Sequence, residues 1–358
     1  MNKKLVYALS LLLTGMLFTG CKNGDADFPD YEGGTTAYFA YQYPVRTIIF
    51  ADEDYDTTLD QNHQCMIKST FGGSYDTSNG TVTVAVDNSL VNNLTFEDGT
   101  PVKAMPENYY TLESTTWGYK GTMNGGTIVN LTDAFFNDPD ASTTTYVIPL
   151  VMTGQTGFGK IATGELKEGG TPIRTDESQW EVLPMDYVLY CVKYQNKYAG
   201  YWLTRGTTDI DNIEKAGNVQ LKCKTMNSCI YTITQTFSDW EQYVRDENGE
   251  IKKDDNNNPL TEKVTKTLSI DMLVTFDANE QCAITSATAG VTVNGSGSWE
   301  DNGAKKSWNN KDRDLMELSY NFATADELGN AHTGSVHEKM VYYRTGITTT
   351  EFKPTYNK

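Results

Sequence analysis

Positive charge is scarce in this chain: 29 Lys and Arg stand against 47 Asp and Glu, for a formal net charge of −18. So acidic a surface has little with which to neutralise phosphates, which excludes nucleic acid as the main partner. It equally excludes clinging to an anionic membrane by charge alone. Histidine is rarer still, at His63, His332 and His337. His332 and His337 lack the HExxH spacing of zinc proteases. His63 and Cys65, two residues apart, would merely share one face of an extended strand. No Gly-x-Ser-x-Gly elbow and no Gly-rich phosphate loop occurs. The apolar run from Leu5 to Phe18 falls short of the ~20 residues that a membrane-crossing helix needs.

What is present begins at the N-terminus. Lys3 and Lys4 precede that apolar run, and Thr19-Gly20-Cys21 follows it. This order predicts a lipoprotein signal peptide over residues 1–20, cleaved before Cys21, with the cysteine then lipidated. Residues 21–34, carrying Asp25, Asp27, Asp30 and Glu32, read as a flexible acidic tether. Acidic residues directly behind a lipidated cysteine resemble the surface-export signal of Bacteroidetes lipoproteins. That resemblance implies an outer-membrane, cell-surface location. Five further cysteines form neither a CxxC knuckle nor a dense disulfide framework. Cys223 and Cys229 flank a short turn, either as a bridge or as two small buried side chains.

The 22 Tyr, 13 Phe and 6 Trp supply a core that a disordered stalk would lack. Over residues 35–160, Ala37, Phe39 and Tyr41 fall on one side of an alternating stretch, and Val82, Val84 and Val86 alternate with Thr81, Thr83 and Ala85. Tyr146 to Met152 is a compact apolar run. Period-2 patterns broken by Gly, Asn, Asp and Pro predict a β-sandwich. Residues 161–180, rich in Gly, Thr and charge, read as a linker. Residues 181–358 hold the cleanest alternation. Leu268, Ile270, Met272, Val274 and Phe276 share one phase, and Met316, Leu318, Tyr320 and Phe322 another. One apolar and one polar face per strand predicts an antiparallel meander, and closure as a barrel would remove its edges. Asp246 to Glu262 lacks calcium-loop spacing and reads as a solvated hairpin.

Two resemblances attach to these patterns. Val82–Asp87, Ser89-Leu90-Val91-Asn92-Asn93, Met105–Leu112, Gly125–Ile128 and Tyr146–Leu150 follow one another as in the N-terminal domain of many Bacteroidetes surface lipoproteins of unknown function. That domain also precedes some family 18 glycoside-hydrolase modules, and it implies an immunoglobulin-like sandwich with no catalytic residue. The string Tyr187 to Gly206, with Trp299–Tyr320 and Val341–Arg344, resembles the calycin-like barrel domain that often follows it. Gly200-Tyr201-Trp202 matches the calycin Gly-x-Trp, which implies that Trp202 plugs the barrel end. The expected fold is therefore all-β, a sandwich followed by a calycin-like barrel over 181–358.

Catalysis is not expected. Asp209, Asp211 and Glu214 fail the family 18 spacing, and no (β/α)8 alternation surrounds them. No cofactor and no metal is expected either. The leading expectation is non-catalytic glycan binding at the cell surface within a polysaccharide-utilisation system. Its partners would be an oligosaccharide or polysaccharide, with an outer-membrane transporter or other surface lipoproteins alongside. Sugar C–H faces stack on aromatic rings, which singles out loop aromatics Trp117, Tyr119, Trp240 and Trp299. A structural or adhesive lipoprotein with protein partners is the second expectation. A small ligand inside the barrel ranks third, because Met272, Phe276, Tyr320 and Phe322 predict a filled interior.

Overall fold

A computed structural model describes residues 30–51, 56–75, 79–208 and 213–358. The proposed signal peptide, Cys21 and most of the acidic tether lie outside these described residues. The strands are β1 (Thr36–Tyr38), β2 (Pro44–Ile49), β3 (Gln64–Gly72), β4 (Thr81–Val86), β5 (Tyr110–Leu112) and β6 (Thr116–Gly118). β7 (Asn124–Leu131), β8 (Tyr146–Thr156), β9 (Lys160–Ile161) and β10 (Tyr187–Gln195) follow. They form two sheets, one ordered β9-β1-β3-β7-β5 and the other running β2-β10-β8-β4-β6. Phe39, Ile67, Val82, Val129, Ile148 and Val192 meet between the sheets.

β8 and β10 lie at the centre of the second sheet and are apolar on both faces. Ile148, Leu150, Val188 and Val192 point at the first sheet. Val147, Val151, Leu189 and Cys191 point the other way, into a layer closed by Leu90, Phe96 and Phe352. Covering both faces explains why these two strands are continuous apolar runs with no alternation.

β10 corrects one expectation. The sequence pattern groups residues 187–195 with the barrel, yet this strand pairs antiparallel with β8 and parallel with β2. At the start of the expected linker lies the end of β9, which runs parallel to β1. A short strand, Thr350–Glu351, returns from beyond the barrel to pair with β2, carrying Phe352 into the sandwich core.

The eight barrel strands are β11 (Gly200–Thr208), β12 (Ile213–Thr225), β13 (Ser228–Tyr243), β14 (Thr261–Phe276), β15 (Gln281–Ser286), β16 (Val291–Ala304), β17 (Arg313–Ala325) and β18 (Ala331–Arg344). They close in sequence order, β18 pairing back onto β11. Their alternation is the expected one, with Ile270, Met272, Val274, Met316, Leu318 and Met340 inside. Aspartates set the hairpins. Asp277 accepts from Asn279 and Gln281 N–H at 2.8 and 3.0 Å, and Asp326 from Leu328 and Asn330 N–H at 3.0 and 2.8 Å. Side-chain acceptance from the residues just ahead is what favours aspartate at a turn's first position. Residues 246–260 form an exposed extension of the β13–β14 hairpin, as expected.

Asn196 joins the two halves. Its buried side chain donates to the Thr225 and Ser228 carbonyls at 2.6 and 2.9 Å and accepts from Tyr198 and Ala199 N–H at 3.1 and 2.9 Å. Tyr198 then stacks on Phe276, with ring centroids 3.8 Å apart. Trp202 is fully buried at this end of the barrel, its Nε1 donating to the Tyr198 carbonyl at 3.0 Å. Cys223 and Cys229 face each other across β12 and β13 as free thiols, both touching Asn196.

Candidate functional site

The four aromatic residues expected on binding loops are buried. Trp117 lies on β6 and donates from Nε1 to Ser69 Oγ at 2.9 Å, while the fully buried Tyr119 hydroxyl shares the same serine. Trp240 stacks on His332 with centroids 5.0 Å apart. Trp299 is 9% exposed, packed edge-on against Tyr198 and covered by the Lys197 ammonium 4.0 Å from its ring centre. These rings belong to the core, where removing apolar area from water outweighs any use as a sugar platform. Among the described residues, the most exposed rings are Tyr31, Tyr41 and Tyr75. Of the His63–Cys65 pair, the Cys65 thiol is buried, which pushes its pKa up to about 12, and the His63 ring packs on Phe136.

The site emerges where the barrel wall parts. β11 and β12 stay paired from Gly200↔Leu221 to Thr208↔Ile213, and β13 stays with β14 from Ser228 to Tyr243. Among the described residues, β12 and β13 pair only between Leu221↔Tyr231 and Thr225↔Ser228. Beyond Leu221 the two strands diverge, leaving a cavity of about 350 Å³. Gly217 and Val219 line one side, Ile233 and Gln235 the other, and Tyr320 and Glu338 the depth. Gly217 has open space where a side chain would begin. The interior is thus filled around Trp202 and Met272, as expected, but hollow one layer further along.

Glu338 is the chemical centre. It occupies an inward position on β18, where the alternation of Val336, Met340 and Tyr342 calls for an apolar residue. Its Oε2 accepts from Thr204 Oγ1 at 2.8 Å and Tyr231 OH at 3.1 Å, and its Oε1 accepts from Tyr320 OH at 3.1 Å. Burial raises its pKa, and the three hydroxyl bonds pull in the opposite direction. Gly206 on β11 makes the approach possible, since a Cβ there would come within 2.6 Å of the Glu338 Cβ. Gln235, also buried, donates from Nε2 to the Thr236 carbonyl at 3.0 Å. Sequence reasoning missed both Glu338 and Gln235. The signal that would have found them is a polar residue in the apolar phase of a clean period-2 strand.

A second, shallower trough of about 550 Å³ runs over the outer face of β16–β18, past Asn294, Ser319, Asn321 and His337. It lacks the apolar walls that would strip water from a ligand. The Glu338 cavity combines Val219, Ile233 and Val336 with convergent polar groups, and it is the candidate binding site. Among the described residues, no cluster of metal-ligating side chains accompanies it. Among the described residues the cavity lining places one carboxylate, which can orient a bound hydroxyl.

Comparison with known proteins follows the same division. Residues 31–159 match a family described as a "-like, N-terminal domain", and residues 197–345 match DUF5627, a domain of unknown function. No curated protein matches the chain. A crystal structure of a protein of unknown function from Bacteroides ovatus is similar at 29% identity, with a TM-score of 0.72. The match covers 92% of this chain and 100% of that one. A second Bacteroides ovatus structure, provisionally named a carbohydrate-binding protein, aligns at 14% identity over 70% of this chain and 67% of that one. Its TM-score is 0.28, too low for the likeness to carry an argument. Across both its sandwich and its barrel, then, this chain is similar to a Bacteroides protein of unknown function.

Proposed function

We propose that the protein is a non-catalytic glycan-binding lipoprotein, tethered through Cys21 to the outer membrane and displayed at the cell surface. The observation that carries this reading is the Glu338 cavity: a carboxylate bonded to three hydroxyls, set between apolar walls and reached through a gap in the barrel. Its volume of about 350 Å³ suits one or two sugar units. A sugar's hydroxyls would meet Glu338, Tyr231, Tyr320 and Gln235, and its C–H faces would meet Val219, Ile233 and Val336. The acidic tether and the lipid would hold this pocket outside the cell, where carbohydrate arrives. The protein would then capture ligand for a partner such as a transporter.

Two measurements test the reading. On a glycan array, the purified protein should bind at least one oligosaccharide saturably, and Tyr320→Phe should weaken that binding about tenfold. A blank array with a folded protein would sink the binding role. Separately, Cys21→Ala should release the protein from the membrane fraction, and retention there would refute the anchor.

A further inference from the structure

We infer that the Glu338 cavity selects neutral glycans with free hydroxyl groups and rejects those that would present a carboxylate or sulfate to it. This inference rests on the reading of the cavity as a glycan site and deepens it.

It follows from counting protons in the cavity. The Thr204, Tyr231 and Tyr320 hydroxyls each own one hydrogen, and all three point at Glu338. Thr232, at the rim, donates its hydrogen to Asp271 on the outer face at 2.7 Å. Gln235 uses one amide hydrogen on the Thr236 carbonyl. What remains toward the cavity from these side chains is mostly acceptor. It comprises lone pairs on the two tyrosine oxygens, the second lone pair of Glu338 Oε1 and the Gln235 carbonyl, against two hydrogens, the spare one of Gln235 and that of the Thr234 hydroxyl on the lining.

A hydroxyl can donate into such a site, whereas a carboxylate or sulfate has only acceptors to offer. An acidic group there would leave lone pairs facing lone pairs and, with Glu338 ionised, two like charges within a desolvated space. The chain's net charge of −18 opposes anions at longer range as well. A donor hydroxyl therefore completes the site that an acidic substituent leaves unpaired.

The test is calorimetric titration of the purified protein at neutral pH. One set of probes is neutral gluco-, manno-, galacto- and xylo-oligosaccharides; the other is oligogalacturonate and heparin-derived oligosaccharides. At least one neutral probe should bind at least about 100-fold more tightly than any acidic one, within the roughly 10⁴-fold that a site built to hydrogen-bond a hydroxyl can reach. Glu338→Gln, which replaces one acceptor by a donor, should narrow that gap. Tyr320→Phe, which leaves the carboxylate in place, should weaken neutral binding without strengthening that of any acidic probe. An acidic oligosaccharide binding as tightly as the neutral ones would overturn the selectivity while leaving glycan binding intact. If no saccharide of either kind binds the folded protein, the glycan reading and this inference fall together.

Discussion

The sandwich and the barrel solve the burial problem in opposite ways. In the sandwich, β8 and β10 are apolar on both faces, and each face meets its own core. In the barrel the buried apolar residues lie on the inward faces of the strands, and those faces share a single interior. A doubly covered strand leaves no room, because any polar residue there would be stranded between two packed layers. A barrel interior tolerates an interruption. Gly206, Gly217, Gln235 and Glu338 cluster where β12 and β13 part, and the result is a hollow with a polar centre. One half is thereby a scaffold, and the other carries the chemistry.

Three substitutions sharpen that contrast, in descending order of cost. Ile148→Ala, in a strand with no slack on either side, should cost about 4 kcal/mol in urea denaturation. Asn196→Ala should cost about 3 kcal/mol by stranding buried carbonyls and N–H groups on both sides of the joint. Two separate unfolding transitions in that variant would show the halves uncoupled, whereas an unchanged midpoint would refute the joint. Val336→Ala, on the cavity wall, should cost about 1 kcal/mol, since its neighbours already border empty space. A loss there equal to that of Ile148→Ala would mean that the cavity is as tightly packed as the sandwich core.

The smallest effect is at Glu338 and depends on pH. Thr204, Tyr231 and Tyr320 face its carboxyl, and His337 adjoins it on the outer face of β18. Its folded pKa is raised because burial penalises the ionised form. That penalty is absent below the ordinary glutamate range and develops as pH rises through the raised value. Glu338→Gln, neutral throughout, should therefore gain melting temperature relative to the parent as pH rises from about 4 towards neutrality. A constant difference across that range would show that Glu338 is not desolvated.

Alternation makes the barrel strands readable directly, because an inward residue there has one neighbour type and an outward residue another. β10 misleads for the converse reason. Its run Tyr187 to Val192 shows no period, and a run without a period does not say which layers cover it. The aromatic residues mislead in a related way. Trp117 and Trp240 stand beside turn-like sequence and read as loop residues, yet Ser69 and His332, distant in the chain, close over them. The carboxylate of Glu338 is visible as an exception to a period, but its meaning depends on Thr204, Tyr231 and Tyr320 arriving from three other strands.

Composition and local periodicity are enough to determine the all-β class, the acidic balance of charge and the inward face of most barrel strands. Neither property needs any knowledge of which strands become neighbours. Tertiary packing is what assigns residues 187–195 and the strand Thr350–Glu351 to the sandwich. Packing also turns the four singled-out aromatics into core, and it parts β12 from β13 to open a path to a buried glutamate. Each of these outcomes depends on which distant strands come to lie side by side, and pairing between strands far apart in the chain is set by the whole packed core.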